Sequence, residues 1–122
     1  MFQLKNAQNY SHRREALLAI SNKQNEKKVF NAVSNAMNDP SYKIRILALE
    51  KIDLINKFSK KNTIQKIKEI ASTDEKTLVQ AVALETLGKL TDPKLKSIFI
   101  KALESRSYSV LGKALVALYY ID

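Results

Sequence analysis

The chain has 122 residues, no cysteine, and only two glycines and two prolines. That length predicts one domain with its own core. The missing cysteine excludes disulfide frameworks, thiolate zinc sites and thiol catalysis, and the few turn formers argue against a sandwich or barrel of short strands. Apolar residues make up 45% of the chain, more than a disordered chain carries, yet no apolar run approaches the ~18 residues of a membrane span. Met1-Phe2-Gln3-Leu4-Lys5 opens without the apolar stretch of a secretory signal. The compartment stays open, because a cysteine-free chain suits either side of a membrane.

The net charge is +9, with 21 basic against 12 acidic residues. Such an excess invites a nucleic-acid reading. The composition weakens it: 17 of the basic residues are Lys, and only Arg13, Arg14, Arg45 and Arg106 carry the fork suited to phosphates and bases. A solvated Lys-rich surface accounts for the excess equally well.

In chain order, residues 13–20 are apolar on much of their circumference and predict a helix. Val29, Phe30, Val33, Ala36 and Met37 then recur at helical spacing beside Lys27 and Lys28, predicting a helix packed on one side. Residues 43–55 are apolar nearly all round, as a helix between neighbours would be. Asn56 to Asn62 reads as the longest polar connection. Ile64, Ile67, Ile70 and Ala71 form a second narrow stripe, and 78–90 a second helix apolar on most faces. Leu95, Ile98, Phe99, Ala102 and Leu103 repeat the stripe, and 110–121 closes with a third apolar helix. Asp39-Pro40-Ser41 separates two helices. Thr91-Asp92-Pro93 places a capping Asp before a Pro at the first helical position. Asp39, Asp74 and Asp92 all read as helix-start caps, Thr77 to Gln80 as a capping box, and Gly88 as a C-terminal cap.

The all-round apolar helices align with one another. Tyr10-x-x-Arg13-x-x-Ala16-Leu17-x-x-Ile20 matches Tyr42-x-x-Arg45-x-x-Ala48-Leu49-x-x-Ile52. Thr77-x-x-Gln80-x-x-Ala83-Leu84-x-x-Leu87 and Tyr108-x-x-Leu111-x-x-Ala114-Leu115-x-x-Leu118 follow, at offsets of 32, 35 and 31 residues. Each copy reads as the second helix of a hairpin, with a small Ala for close approach and a Leu filling the layer between units. Repeats of this length predict an all-α stacked solenoid, an α-α superhelix of about three and a half repeats in one domain spanning 1–122. The tyrosines at the repeated position are expected to pack between units with wet hydroxyls.

Asp39-Pro40-x-x-x-Ile44-Arg45-x-x-Ala48 resembles the HEAT-repeat signature, an Asp in the turn and an Arg six residues on. The resemblance implies that Asp39 and Arg45 tie adjacent repeats together. Asp74 and Gln80 keep the spacing without the Arg; Ser105 and Leu111 keep neither residue. A narrower likeness rests on Asn9 to Ala16, Lys76 to Ala83, Leu87-Gly88-Lys89-Leu90 and Ser107 to Val110. These runs resemble the C-terminal HEAT-like region of bacterial M1-family zinc aminopeptidases, which in that family follows a catalytic domain carrying His-Glu-x-x-His and limits which peptides enter. The apolar end at Leu118, Tyr119 and Ile121 fits a C-terminal fragment of a longer chain, because solenoids cover their ends with polar faces; a complete small protein whose last helix frays or dimerises is the alternative.

Catalytic constellations are not legible. His12 is the only histidine and has no cysteine to join it, His-Glu-x-x-His does not occur, and Gly88 and Gly112 cannot build a phosphate loop. No cofactor is expected in this chain, zinc belonging to the parent's catalytic domain. Arg13, Glu50 and Glu85 are candidate contacts on a concave face, the two glutamates holding equivalent positions in consecutive repeats, which would set them near each other on one face; two solvated residues beside Lys51 and Lys89 are the plainer reading. The expected function is that of a non-catalytic module shaping a peptidase's substrate chamber, its partner the catalytic domain or another protein. A stand-alone protein-binding adaptor is the alternative. A nucleic-acid module is the second, against which the row Arg13, Arg45, Gln80, Leu111 argues, since it is no basic stripe. No membrane partner is expected.

Overall fold

The computed structural model describes residues 9–59 and 61–121; the opening run from Met1 to Gln8, with its missing signal stretch, and the final Asp122 lie outside the described residues. The described residues are helical and contain no strand. Seven α-helices follow in order: α1 (Tyr10–Ile20), α2 (Lys27–Ala36), α3 (Tyr42–Lys51), α4 (Lys61–Thr73), α5 (Thr77–Gly88), α6 (Lys96–Ala102) and α7 (Tyr108–Ile121). The all-α class expected from the sequence is therefore observed. No helix among the described residues is long and apolar enough to cross a membrane. The chain divides into two compact units, one up to Lys60 and one from Lys61.

In the first unit α3 packs on both α1 and α2. Its core takes Leu17 from α1, Phe30, Val33 and Ala36 from α2, Met37 just beyond, and Ile44, Ala48 and Leu49 from α3. Complete burial of a side chain such as Leu17 or Phe30 contributes about 2–3 kcal/mol. The helix read over 43–55 ends earlier, at Lys51. Ile52 turns extended (ψ 131°), the Asp53 carboxylate accepts the Ile55 N–H at 3.1 Å, and Ile55 stands exposed rather than in the core. The following turn is not loose. Phe58 sets its ring 6.3 Å from that of Phe30.

One buried amide locks this unit's loops. Gln24 Nε2 donates to the carbonyls of Ser21 and Lys51, both at 2.7 Å, and its Oε1 accepts the Asp53 N–H at 2.9 Å. The Asn56 amide donates back to the Gln24 carbonyl. A buried amide with every polar atom matched fixes geometry, since each group would be costly to leave unpaired.

In the second unit α5 lies between α4 and α7, and α6 packs on α7. Ile67 and Ile70, then Val79, Leu84 and Leu87, then Phe99 and Val110 form its core. Asp92 caps the 3-10 turn Pro93–Leu95 through the Lys94 N–H, with Pro93 at the first position, and α6 follows. Gly88 is the last residue of α5 but is not a left-handed cap. Among the described residues the one with positive φ is Thr91, at 45°. Gly88 instead admits α7: a β-carbon there would lie 3.1 Å from that of Ala117. Thr77 is the first residue of α5 and Lys76 its N-cap, without a side-chain cap bond. The expected capping box is absent, because Thr77 is already helical and not the N-cap; the Gln80 amide donates to the Asp74 carbonyl.

Candidate functional site

The repeated motif becomes a repeated turn. Asp39 Oδ1 accepts the Ser41 N–H at 2.8 Å, Asp74 Oδ1 accepts the Lys76 N–H at 2.9 Å, and Ser105 Oγ accepts the Ser107 N–H at 3.1 Å. Each of these residues stands three before the first residue of α3, α5 or α7, respectively Tyr42, Thr77 and Tyr108. Asp39 and Asp74 are therefore not N-caps; those positions belong to Ser41 and Lys76. They shape the turn ahead of the helix, as short polar side chains do when they bond a backbone N–H two residues on. Asp92 alone of the three aspartates is an N-cap.

Six residues beyond each turn residue stands the second member of the motif. Arg45, itself buried, donates through Nη1 to the carbonyls of Asp39 at 2.9 Å and Pro40 at 3.2 Å. Gln80 donates to the Asp74 carbonyl at 2.6 Å. Leu111 has nothing to donate. Arg13, one sequence repeat earlier than Arg45, reaches forward: its Nε donates to Asp39 Oδ2 at 2.9 Å and its Nη2 to Asp39 Oδ1 at 3.3 Å. A two-point guanidinium–carboxylate pair is the strongest and most directional ion pair available to side chains. Asp39 thus gathers the chain from three directions, holding α1 through Arg13, its own turn through Ser41, and α3 through its carbonyl and Arg45.

The other candidates separate. Arg13 is taken up by Asp39. Glu85 on α5 accepts from Lys113 Nζ of α7 at 2.8 Å, not from Lys89, and Glu50 is exposed on α3. Beside the Glu85–Lys113 pair, a shallow cleft of about 330 Å³ runs between α5 and α7, lined by Gly88, Val116, Ala117 and Tyr120. A second hollow of about 270 Å³ is lined by Gln80, Leu84, Ile98 and Val110. His12 is exposed, and its backbone N–H is capped by Asn9 Oδ1. Among the described residues no three of His, Asp and Glu gather as a metal site would require.

The tyrosines share a register position without sharing an environment: Tyr10, Tyr42 and Tyr108 each begin a helix, but Tyr108 is almost fully exposed and packs between nothing. Sequence reasoning passed over Gln24. It lies in a polar turn, and no local pattern marks an amide whose partners are 27 and 29 residues away. The sequence matches no protein-family model and no curated protein.

Proposed function

We propose that this chain is a HEAT-like helical-repeat module that acts by holding a protein partner and not by catalysis. The observation that carries the reading is the forward pair: the Arg of one sequence repeat forks onto the Asp of the next, Arg13 onto Asp39. That is the tie the Asp-x5-Arg spacing implies for the HEAT signature. The equal placement of Asp39, Asp74 and Ser105 before α3, α5 and α7 supports it, since one turn chemistry recurs at the repeat interval. On this reading α1, α3, α5 and α7 form one layer of a superhelix and α2, α4 and α6 the other. A crystal structure tests that layering, and any other order of helices refutes it.

The parent we infer is an M1-family zinc aminopeptidase, with this chain as the helical region that narrows the peptide chamber and packs on the catalytic domain. The runs Asn9 to Ala16 and Lys76 to Ala83 support it. The gene decides it. A reading frame continuing upstream of Phe2 into His-Glu-x-x-His supports the assignment, and a start codon at Met1 refutes it and leaves a stand-alone adaptor. The isolated chain, supplied with zinc, is expected to leave aminoacyl fluorogenic substrates intact.

A further inference from the structure

The outward face of α7 carries no charge. Tyr108, Gly112, Leu115, Val116 and Tyr119 point away from the core-facing residues Val110, Ala114 and Ala117, and Lys113 on the flank is held by Glu85. Leu115 is 53% exposed, whereas Leu17, Leu49 and Leu84, its equivalents in the other three copies of the motif, are wholly buried. Gly112 sits mid-helix in the middle of this face. A β-carbon there would meet nothing within 4 Å, and its φ is not positive. Glycine weakens a helix interior relative to alanine, and none of the described residues fills the space it leaves. The remaining use of such a glycine is the close approach of another backbone.

We propose that this face is an interface between two copies of the chain, with α7 packed antiparallel on α7 of the partner about a two-fold axis. The spacing is self-complementary. Tyr108, Gly112, Leu115 and Tyr119 are separated by four, three and four residues. Turned end for end, the row superposes on itself: Tyr108 faces Tyr119 of the other copy, and Gly112 faces Leu115. An isologous contact requires that pairing of position with position. Leu115 fills the gap over the glycine, twice, and the aromatic rings close both ends. Tyr119 and Tyr120 already stack edge to face at 5.1 Å, so that end is ordered before contact. The three tyrosines are 89%, 75% and 66% exposed at positions 108, 119 and 120. At roughly 200 Å² for a whole aromatic side chain, Tyr108 and Tyr119 offer with Leu115 and Val116 on the order of 500 Å² per copy, against the ~800 Å² per partner of a standard interface. That area lies below the standard size, as weak and reversible contacts do. Because the face is apolar while each copy carries +9, salt should strengthen the association by screening repulsion; an acidic protein or nucleic acid bound through the lysines would be released by salt instead.

The test is sedimentation velocity on the full chain from micromolar to near-millimolar concentration, at low and high salt. A monomer–dimer equilibrium that tightens with salt is expected. Leu115→Glu should weaken it about tenfold or more with the monomer's Tm unchanged, since Leu115 is half exposed. Gly112→Ala gives the sharper result. It should raise the monomer's Tm by a few degrees while loosening the dimer severalfold, two effects of opposite sign that a merely structural glycine would not show. Orientation is read by mixing a Tyr108→Cys chain with a mass-tagged Tyr119→Cys chain under oxidation: the cross-linked heterodimer is expected, and cross-linked homodimers would overturn the antiparallel arrangement. A chain that stays monomeric throughout, or a dimer indifferent to both Leu115→Glu and Gly112→Ala, overturns the proposal.

Discussion

Asp39→Ala should release α1 from the rest of its unit. Leu17 is the one residue of α1 that is fully buried, so that side chain and the fork of Arg13 on Asp39 are major attachments of the helix. The two side chains of the pair are only 17% and 8% exposed. Removing the carboxylate strips an acceptor from two guanidinium N–H groups and from the Ser41 N–H. Breaking a well-buried ion pair costs about 3–5 kcal/mol. Arg13 retains some contact with water, which places the expected loss near 3 kcal/mol, similar to the contribution of burying Leu17. Amide exchange reads the effect locally. Protection within α1 should fall about a hundredfold, while α4 to α7 keep theirs. Asp39→Asn, which still offers Ser41 an acceptor, should fall between the two. A double-mutant cycle with Arg13→Met should return at least ~1 kcal/mol of coupling. Protection in α1 unchanged within threefold, or a coupling near zero, would show that the pair is an ornament of the surface and that α1 is held otherwise.

The remaining expectations concern single contacts. Gln24→Glu places carboxylate oxygens against the carbonyls of Ser21 and Lys51 and should cost about 3 kcal/mol, with Gln24→Ala near 2; urea midpoints measure both, and values under ~0.5 kcal/mol would contradict the network. Gly88→Ala drives a methyl toward Ala117 and should lose about 1–2 kcal/mol by overpacking, a loss relieved in the double variant with Ala117→Gly; a gain in Tm from the single variant would refute the close approach. Thr91→Gly removes a β-branched residue from φ 45° and should gain up to ~1 kcal/mol, visible as a Tm rise of about 3 °C. Glu85→Gln should change stability by less than ~0.5 kcal/mol, because the pair with Lys113 is half exposed; a larger loss would mean that the pair fixes α7 on α5.

Helix existence and register were legible because periodicity and repetition point to the same answer. The four aligned motifs begin at Tyr10, Tyr42, Thr77 and Tyr108, and those are the first residues of α1, α3, α5 and α7. The helix end at Lys51 was not legible, because Leu54 and Ile55 extend the apolar run through a turn; the cue was Asp53, whose carboxylate bonds the Ile55 N–H. Gly88 misled in the other direction. Glycine near a helix end reads as a cap, but here it answers to Ala117 across the helix pair, a partner no local pattern reveals. The turn network of Gln24 fails for the same reason. Its chemistry is common, and only the fold brings the carbonyl of Lys51 to it.

The motif also shows how one job passes between unlike side chains along a chain. At the first turn described, Asp39 accepts a backbone N–H with its carboxylate and has its own carbonyl bonded by a guanidinium. At the next, Asp74 keeps the first bond and an amide, Gln80, supplies the second. At the last, Ser105 supplies the first with a hydroxyl, and a second hydroxyl, Ser107, accepts the Val110 N–H at 3.3 Å, while Leu111 donates nothing. The geometry of the turn needs only an acceptor within reach of the N–H two residues on, which Asp and Ser both provide. Arginine adds what neither glutamine nor leucine can: a charged fork long enough to reach the carboxylate of the turn before another helix, as Arg13 does. The side-chain ladder therefore fades toward α7 without the turns failing, and the helix on which it has faded is the one whose Leu115 stands uncovered. The guanidinium tie and the burial of the repeated Leu are both missing at this copy of the motif, where α7 is joined to α5 through Lys113 and Glu85 instead.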